Sequence, residues 1–458
     1  MQFWASGAAV SVLILMTLMA CAGLLRRVFP VMATFGVPTS IVAGLMGFVA
    51  GPSVLGWLPL DIPTLEAMVY HGLALTFIAV GLQPVSEGEG GGPNAISMGF
   101  GIGVSAVMQG LLGLLIVLIL NHLGGNHHPG LGLLLPLAFN QGPGQALSMG
   151  RAWEATGFVD GGQLGLIFAA LGFLWCGLVG VPLVMYGRRQ GWFEPAEETE
   201  QSSAEHSSAG PMAENGALEP LTIHLAAIGV VYLITYELVA VLAELLQGKP
   251  QLQAMVWGFH FLVAMAVALT VRGLLPKVGG AHVLKRQELN SIASSVVDVT
   301  CVAALSAIQL SVFQSSWAEV LLITSVGGLL TMVTCLWLGS RAFTKARFEQ
   351  AIYFFGTATG TLPTGLALVR ILDPQLKGPT ATSAVVGSAV AAVLGVPLMI
   401  VVLPLATQAW PDGYPAAGWK VVGGLALYLV LLLVLWSRFG ALRWSKPLWQ
   451  VWARKREG

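Results

Sequence analysis

The sequence predicts an all-α polytopic membrane protein: two inverted repeats of five transmembrane helices, each with a re-entrant Gly-rich hairpin, plus one extra C-terminal helix. Three observations predict it. Of 458 residues, 55% are hydrophobic and 10% charged, with a mean hydropathy of +0.78; soluble domains carry roughly 25% charged residues. Apolar runs long enough to span a bilayer follow one another along the whole chain. Two such runs, one in each half, are broken by polar turn-forming residues: Phe139-Asn-Gln-Gly-Pro-Gly-Gln-Ala-Leu-Ser148 and Phe355-Gly-Thr-Ala-Thr-Gly-Thr-Leu-Pro-Thr364. Irregular backbone at membrane depth survives only where protein buries it or it lines a cavity. Matched breaks in two halves are the sequence mark of a carrier's binding site.

The elements follow in order. Residues 1–190 form the first repeat, with spans at 4–25, 37–58, 65–82, 95–120 and 163–186 and a hairpin at about 130–150. Residues 191–219 hold seven acids and no Lys or Arg, the composition of a solvated cytoplasmic linker. Residues 220–408 form the second repeat, with spans at 220–245, 255–271, 289–312, 318–338 and 380–405 and a hairpin at about 349–372. Residues 409–458 add one span (418–436) and a basic tail whose Trp444, Leu448, Trp449 and Trp452 suit an interfacial helix or a disordered tail. The halves share faint likeness: Gly144 aligns with Gly360, Ser148 with Thr364, and Gln83 with Gln309. Cys21, Cys176, Cys301 and Cys335 lie in apolar runs and read as small hydrophobes, without disulfide or metal spacing.

Charge sets the topology. With the N-terminus outside and each broken segment returning to its own side, the basic residues of every cytoplasmic loop and of the C-terminal tail fall inside. Only Arg151, Lys249 and Lys420 fall outside. Full crossings by the broken segments would put Arg272, Lys277, Lys285, Arg286, Arg341, Lys345 and Arg347 on the wrong side. An odd number of spans per half then makes the repeats inverted.

The hairpin tips are the first functional candidates. Glycines admit backbone amides to a ligand, half-helix N-termini face anions, and unwound carbonyls coordinate Na⁺. The first tip offers Asn140, Gln141, Gly142, Gly144, Gln145 and Ser148; the second offers Thr357, Thr359, Gly360, Thr361 and Thr364, with Pro363 setting the break. One break of this kind is as readily a packed kink; two matched breaks favour a site. Asp298, an intramembrane carboxylate expected beside the second hairpin, joins them as an ion or amine ligand. Gln83 and Gln309 either line the site or join helices. Glu237 and His260 read as a structural buried pair. His127-His128 is weak evidence for metal. No Walker sequence and no protease constellation is present, so neither ATP-driven transport nor enzyme activity is expected, and the basic residues track the membrane side rather than forming a nucleic-acid patch.

The chain resembles the glutamate:sodium symporter family of bacterial inner membranes. The resemblance is carried by the order of spans and hairpins, by Gly142-Pro-Gly144 followed by Arg151-Ala-Trp153, by Ile78-Ala-Val-Gly-Leu82, and by Thr359-Gly-Thr-Leu-Pro-Thr364. It departs from the family in Asn140-Gln-Gly-Pro-Gly144, where the family carries a Ser-Gly-Gly-His-Gly type tip, in Leu362, in the richer Thr content of the second tip, and in Asp298. The resemblance implies Na⁺-coupled uptake of an acidic amino acid such as glutamate, a homodimer, and an elevator-type movement. The expected partners are the lipid bilayer, a small solute and Na⁺ as coupling ion, with no cofactor and no nucleic acid. The alternatives are a proton-coupled organic-anion carrier or exporter and a non-transporting membrane sensor.

Overall fold

The computed structural model describes residues 7–29, 38–84, 92–193, 219–280, 283–376, 378–408 and 414–444. Among these there is no strand, and ten helices are long and apolar enough to cross a membrane. The linker expected at 191–219, apart from its ends, and the tail beyond Trp444 lie outside the described residues.

In the first half α1 (Gly7–Val28), α2 (Thr39–Ala50), α3 (Ile62–Gly81) and α4 (Pro93–His122) lead to a broken pair, α5 (Gly130–Gln141) and α6 (Pro143–Glu154), and then to α7 (Gly161–Arg189). In the second half α8 (Pro220–Leu245), α9 (Pro250–Gly258), α10 (His260–Leu274), α11 (Arg286–Ser306), α12 (Leu310–Ser315) and α13 (Trp317–Ala342) lead to a second pair, α14 (Arg347–Ala358) and α15 (Leu362–Arg370). The chain continues through α16 (Thr380–Thr407) and α17 (Tyr414–Phe439).

Three elements differ from expectation for local reasons. The second span is a 12-residue helix because Gly51, extended at ψ −177, precedes Pro52 and leaves the helical region. The seventh is split at Phe259 (φ −90, ψ 11). There the His260 ring contacts Trp257 O and Tyr70 O, each at 3.0 Å, and stacks on Tyr70 at 3.8 Å. Glu237 is exposed on α8, so the expected Glu237–His260 pair does not form. The eighth stops at Ser306 instead of running to 312.

Packing separates the helices into two groups. α3 lies between α10 and α11, and α2 packs on α11 much as α10 packs on α3. α4 is the axis of the other group, with α5, α13, α16 and α17 against it. Seams there are closed by small residues. Gly113 of α4 meets Gly132 of α5, and Gly150 of α6 meets Gly161 of α7, backbone to backbone with no room for a Cβ.

The ends of the bundle are fixed by polar contacts. Thr344 N and Oγ1 donate to Asn94 Oδ1 at 2.9 and 3.0 Å, so the start of α4 and the end of α13 share one end. His127 and Glu319 approach to 3.9 Å at the other. The pair that follows α4 and the pair that follows α13 therefore start from opposite ends. Each pair folds back on itself. Gly130, at the start of α5, sits against Trp153 at the end of α6. Ala346 and Glu349 face Val369 and Asp373 across a small cavity.

A further likeness between the halves lies in the helix after each pair. Gly180-Val-Pro-Leu183 in α7 and Gly395-Val-Pro-Leu398 in α16 stand at nearly the same distance beyond Gly144 and Gly360. Each adjoins a π turn, Cys176–Gly180 and Leu398–Val402. A helix-interior proline removes one ladder bond and clashes with the preceding turn; in α7 the π turn lies on that preceding side of Pro182, and in α16 it follows Pro397.

Gly113→Leu forces a side chain into the α4–α5 backbone contact and is expected to cost about 1–3 kcal/mol or more. Thermal unfolding of the purified protein in detergent reads this as a lowered transition temperature.

Candidate functional site

The two breaks meet. Gly142 separates α5 from α6 with φ 91 and ψ −179, a region open only to glycine. A Cβ placed there would lie 2.8 Å from Thr361 Cγ2 and 3.9 Å from Gly360 O, so the first tip touches the second. The second break runs Thr359-Gly-Thr361. A Cβ on Gly360 would lie 2.5 Å from Thr364 Oγ1 and 3.2 Å from Phe173 Cδ1.

Neighbouring helices hold both tips. Asn140, buried, donates from Nδ2 to Ile102 O on α4 at 3.2 Å. Two turns along the same helix, Gln109 Nε2 donates to Ala358 O at 2.8 Å and to Thr331 Oγ1 at 2.9 Å. Seven residues of helix span roughly 10 Å, so α4 sets the separation of the two anchor points. α7 cradles the second tip. Gly172 leaves space for Thr359 O, which a Cβ would approach to 2.7 Å, and Cys176 Sγ reaches Thr364 O at 4.0 Å.

The tips are chemically unequal. Thr361 and Thr364 form a reciprocal capping box, with Thr361 N donating to Thr364 Oγ1 at 2.8 Å. Thr364 Oγ1 also donates toward Gly356 O and Thr361 O at 2.9 and 2.7 Å, and Thr359 Oγ1 donates to Phe355 O at 2.8 Å. Thr359 and Thr364 thus satisfy their hydroxyls within the second tip, whereas Thr357 Oγ1 is buried without a hydrogen-bond partner among the described residues. α6 has no side-chain cap, so the positive end of its dipole is not neutralised by its own sequence. Gln145 Oε1, Gln109 Oε1 and Ser105 Oγ are buried around the tips without a hydrogen-bond partner among the described residues. Such groups hold unused capacity for a polar ligand.

The remaining expected residues separate into three places. Gln141 is half-buried at the first tip, and Thr357 is buried on α14, one turn before the second break. Gly144 lies against Leu73 of α3, which a Cβ would meet at 3.1 Å, and Ser148 Oγ donates to Gly258 O at 2.9 Å. These two seat the first pair on its neighbours. Asp298 is half-buried on α11, which packs chiefly on α2 and α3 and touches α6 and α7. It is therefore placed on the side of the first pair, not beside the second. Gln83 and Gln309 sit at opposite ends of the bundle. Gln83 O accepts from Arg272 Nη1 at 3.2 Å, whereas Gln309 N donates to Gln163 Oε1 at 3.0 Å.

Gln309 belongs to a polar network that sequence reasoning missed. Gln163 Nε2 donates to Glu66 Oε1 at 2.5 Å and to Ala307 O at 3.1 Å. Glu66 pairs with Arg151, which also holds Glu154 at 3.1 Å. Beside it a cavity of about 520 Å³ is lined by Gln309, Ser311, Gln314, Pro52, Ser53 and Ile62. Gln109, Ser105 and Thr331 were missed too; their signal was a polar side chain within a long apolar run. No group of three or more His, Cys, Asp or Glu able to hold a metal occurs among the described residues.

His128 closes the first pair. Its Nδ1 accepts from Gly130 N at 3.0 Å and its Nε2–H faces Thr156 Oγ1 at 3.0 Å, tying the start of α5 to the turn after α6.

The chain matches no protein-family model, no curated protein and no solved structure.

Two outcomes follow from these contacts. Gln109→Leu leaves Ala358 O without its partner and is expected to cost about 1–3 kcal/mol, read as a lower transition temperature in detergent. Burial pushes the His128 imidazole from 6.5 down to about 3, so the fold favours the neutral ring. That contribution is complete above pH 6.5 and is lost as pH falls toward about 3. Hydrogen-exchange protection at the amides of residues 128, 130 and 131, taken relative to the intrinsic exchange rate at each pH, is expected to fall as pH is lowered across this window, and His128→Ala is expected to remove that change in protection.

Proposed function

We propose that this chain is a secondary transporter of the bacterial inner membrane, built from inverted repeats with two re-entrant hairpins and working by alternating access. The observation that carries the reading is the contact of two helix breaks, Gly142 against Thr361, formed by pairs that start from opposite ends of the bundle and return to them. A break buried between four helices serves no purpose in a simple bundle, where continuous helices satisfy their own backbone. Matched neighbours of α3 and α11, and the repeated Gly-Val-Pro-Leu sequence, support inversion of the repeats. The N-terminus lies outside and the C-terminus inside, by the distribution of Lys and Arg.

The substrate is an anionic solute, an acidic amino acid such as glutamate or a related organic anion, taken up with Na⁺. Its negative group binds at the uncapped N-terminus of α6, around Gly144 and Gln145. Its polar remainder meets the acceptors Gln145 Oε1 and Gln109 Oε1. Na⁺ binds among the carbonyls and hydroxyls at the second tip, near Thr359, Gly360 and Thr361. As the resemblance implies, two copies pair in the membrane.

The two pairs also differ in how they are seated, which is the arrangement expected of one state of a two-state carrier. From Pro143 to Trp153 only Arg151 of α6 is exposed, the rest being buried against α3, α7, α9 and α11. α15 instead leaves Leu362, Leu366 and Ala367 half-exposed. The first pair is thus the more tightly seated of the two. Alternating access consists of exchanging these two conditions.

Uptake of labelled solutes into proteoliposomes tests the reading. Na⁺-gradient-driven accumulation of glutamate or another anion is expected, and Gly360→Val, which drives a side chain into the capping box, should abolish it while the protein remains folded. Absence of accumulation for every acidic solute under any cation gradient, from folded protein, would overturn the proposal.

A further inference from the structure

One span carries a carboxylate on its outer face. Glu237 is exposed on α8 and lies eight residues, about 12 Å, before the end of that helix at Leu245. Among the described acids within the ten spans only Glu237 and Glu244 are exposed, and Glu244 stands in the last turn of α8. Glu237 forms no hydrogen bond or ion pair among the described residues. Beside it Tyr236 is 54% exposed; its ring tilts against Trp257 at 5.9 Å, and its hydroxyl has no partner among the described residues. A carboxylate facing hydrocarbon is costly, and such groups turn toward protein or water. The described part of a single chain gives Glu237 no protein partner.

Helical periodicity divides the surface of α8 into strips. His224, Ile228, Val231, Thr235, Val239 and Ala243 form the buried stripe, and Glu237 stands opposite it. An exposed strip of Ala226, Gly229 and Leu233 runs between Tyr236 on one flank and Glu237 on the other. Beyond Glu237 the surface is large and aliphatic: Val230, Ile234, Leu238 and Val241 are 58%, 44%, 42% and 51% exposed. Small residues on a membrane helix admit a second helix closely, whereas branched aliphatic side chains suit lipid. A Cβ on Gly229 would meet nothing within 4 Å, so no described helix of the same chain uses the space that it leaves. His71, exposed at the middle of α3, extends the Tyr236 flank: its Nδ1 meets the hydroxyl of Tyr232, one turn before Tyr236.

We infer that this strip of α8 is the seam between two copies of the chain, with Tyr236 of each copy donating a hydrogen bond to Glu237 of the other across a two-fold axis along the membrane normal. Two copies inserted in the same direction bring parallel α8 helices together. A two-fold axis then sets the left flank of one seam against the right flank of the other, and each contact occurs twice. Here the donor stands on one flank and the acceptor on the other, one residue apart in depth, so the face complements itself. A different partner would have to bring both a donor and an acceptor to that depth. Ala226 and Gly229 let the two helices approach, and Leu233 packs at the centre of the seam. Pairing removes the carboxylate and the phenol from lipid together. The inference rests on the pairing of copies in the functional reading and adds the surface that does it.

The test uses the full-length protein. Single cysteines are placed on α8 in a background without the four native ones, and membranes are treated with an oxidant that joins nearby thiols. Leu233→Cys is expected to give a disulfide-linked species of twice the chain's mass, and Ile234→Cys and Leu238→Cys, on the aliphatic strip, are not. Linkage at Ile234 or Leu238 but not at Leu233, or linkage of Leu233→Cys to a protein of another mass, would overturn the inference. Counting of labelled copies in proteoliposomes measures the association itself. Gly229→Leu is expected to weaken pairing by about tenfold or more, while circular dichroism shows it folded, since its side chain meets nothing in the single chain. Tyr236→Phe should weaken pairing by about threefold, and Glu237→Gln, which still accepts from the phenol, should stay within about twofold of native. Native pairing in both Gly229→Leu and Tyr236→Phe would overturn this surface and leave pairing elsewhere; single copies of the native protein would overturn both. Neither result bears on solute uptake, so the transport reading stands or falls separately.

Discussion

A broken helix cannot be left in lipid. Each break in this chain frees backbone carbonyls and amides that hydrocarbon cannot satisfy, and the rest of the structure is arranged around supplying that need. Ala358 O is taken by Gln109, and Asn140 reaches back to Ile102 O. The second tip caps itself with two threonines, and each tip lies against the other. α4 and α7 are placed where they are because they carry the groups that do this work. The same constraint explains the glycine seams, since α5 and α6 approach α4 and α7 closely enough to be shielded only where neither side has a Cβ.

That solution leaves polar capacity unspent at the meeting point, and the proposed site draws on it. Acceptors on Gln109 and Gln145 remain open beside an uncapped helix start. The two tips thus share geometry but not chemistry: α6 brings an uncapped helix start, and the second tip brings threonine hydroxyls and carbonyls. An anion and a cation brought to such a place meet complementary surfaces.

Much of the fold was legible in the sequence. Hydropathy placed the spans, Gly142 announced the first break because glycine alone tolerates its backbone, and the polar Thr359-Gly-Thr361 run announced the second. What was not legible depended on partners distant in sequence. Asp298 was expected beside the second pair as a carboxylate of the eighth span, but α11 packs on α2 and α3. Gln83 and Gln309 aligned as equivalents, and nothing local indicated that Gln309 would join Glu66, Gln163 and Arg151. His260 was assigned to Glu237 on polarity alone, whereas backbone carbonyls of Trp257 and Tyr70 took its ring.

The central claim is that both pairs dip into the membrane and return, from opposite sides, to meet in the middle. Cysteine accessibility in intact cells tests it most directly. Cys176, Cys301 and Cys335 are buried and Cys21 partly so; all four are replaced, and single cysteines are placed at His127, Ala155, Arg347 and Ile371, the ends of the two pairs. A membrane-impermeant thiol reagent is expected to label His127→Cys and Ala155→Cys from outside, and Arg347→Cys and Ile371→Cys only after the membrane is opened. Labelling of the two ends of one pair from different sides, or of both pairs from the same side, would contradict the account.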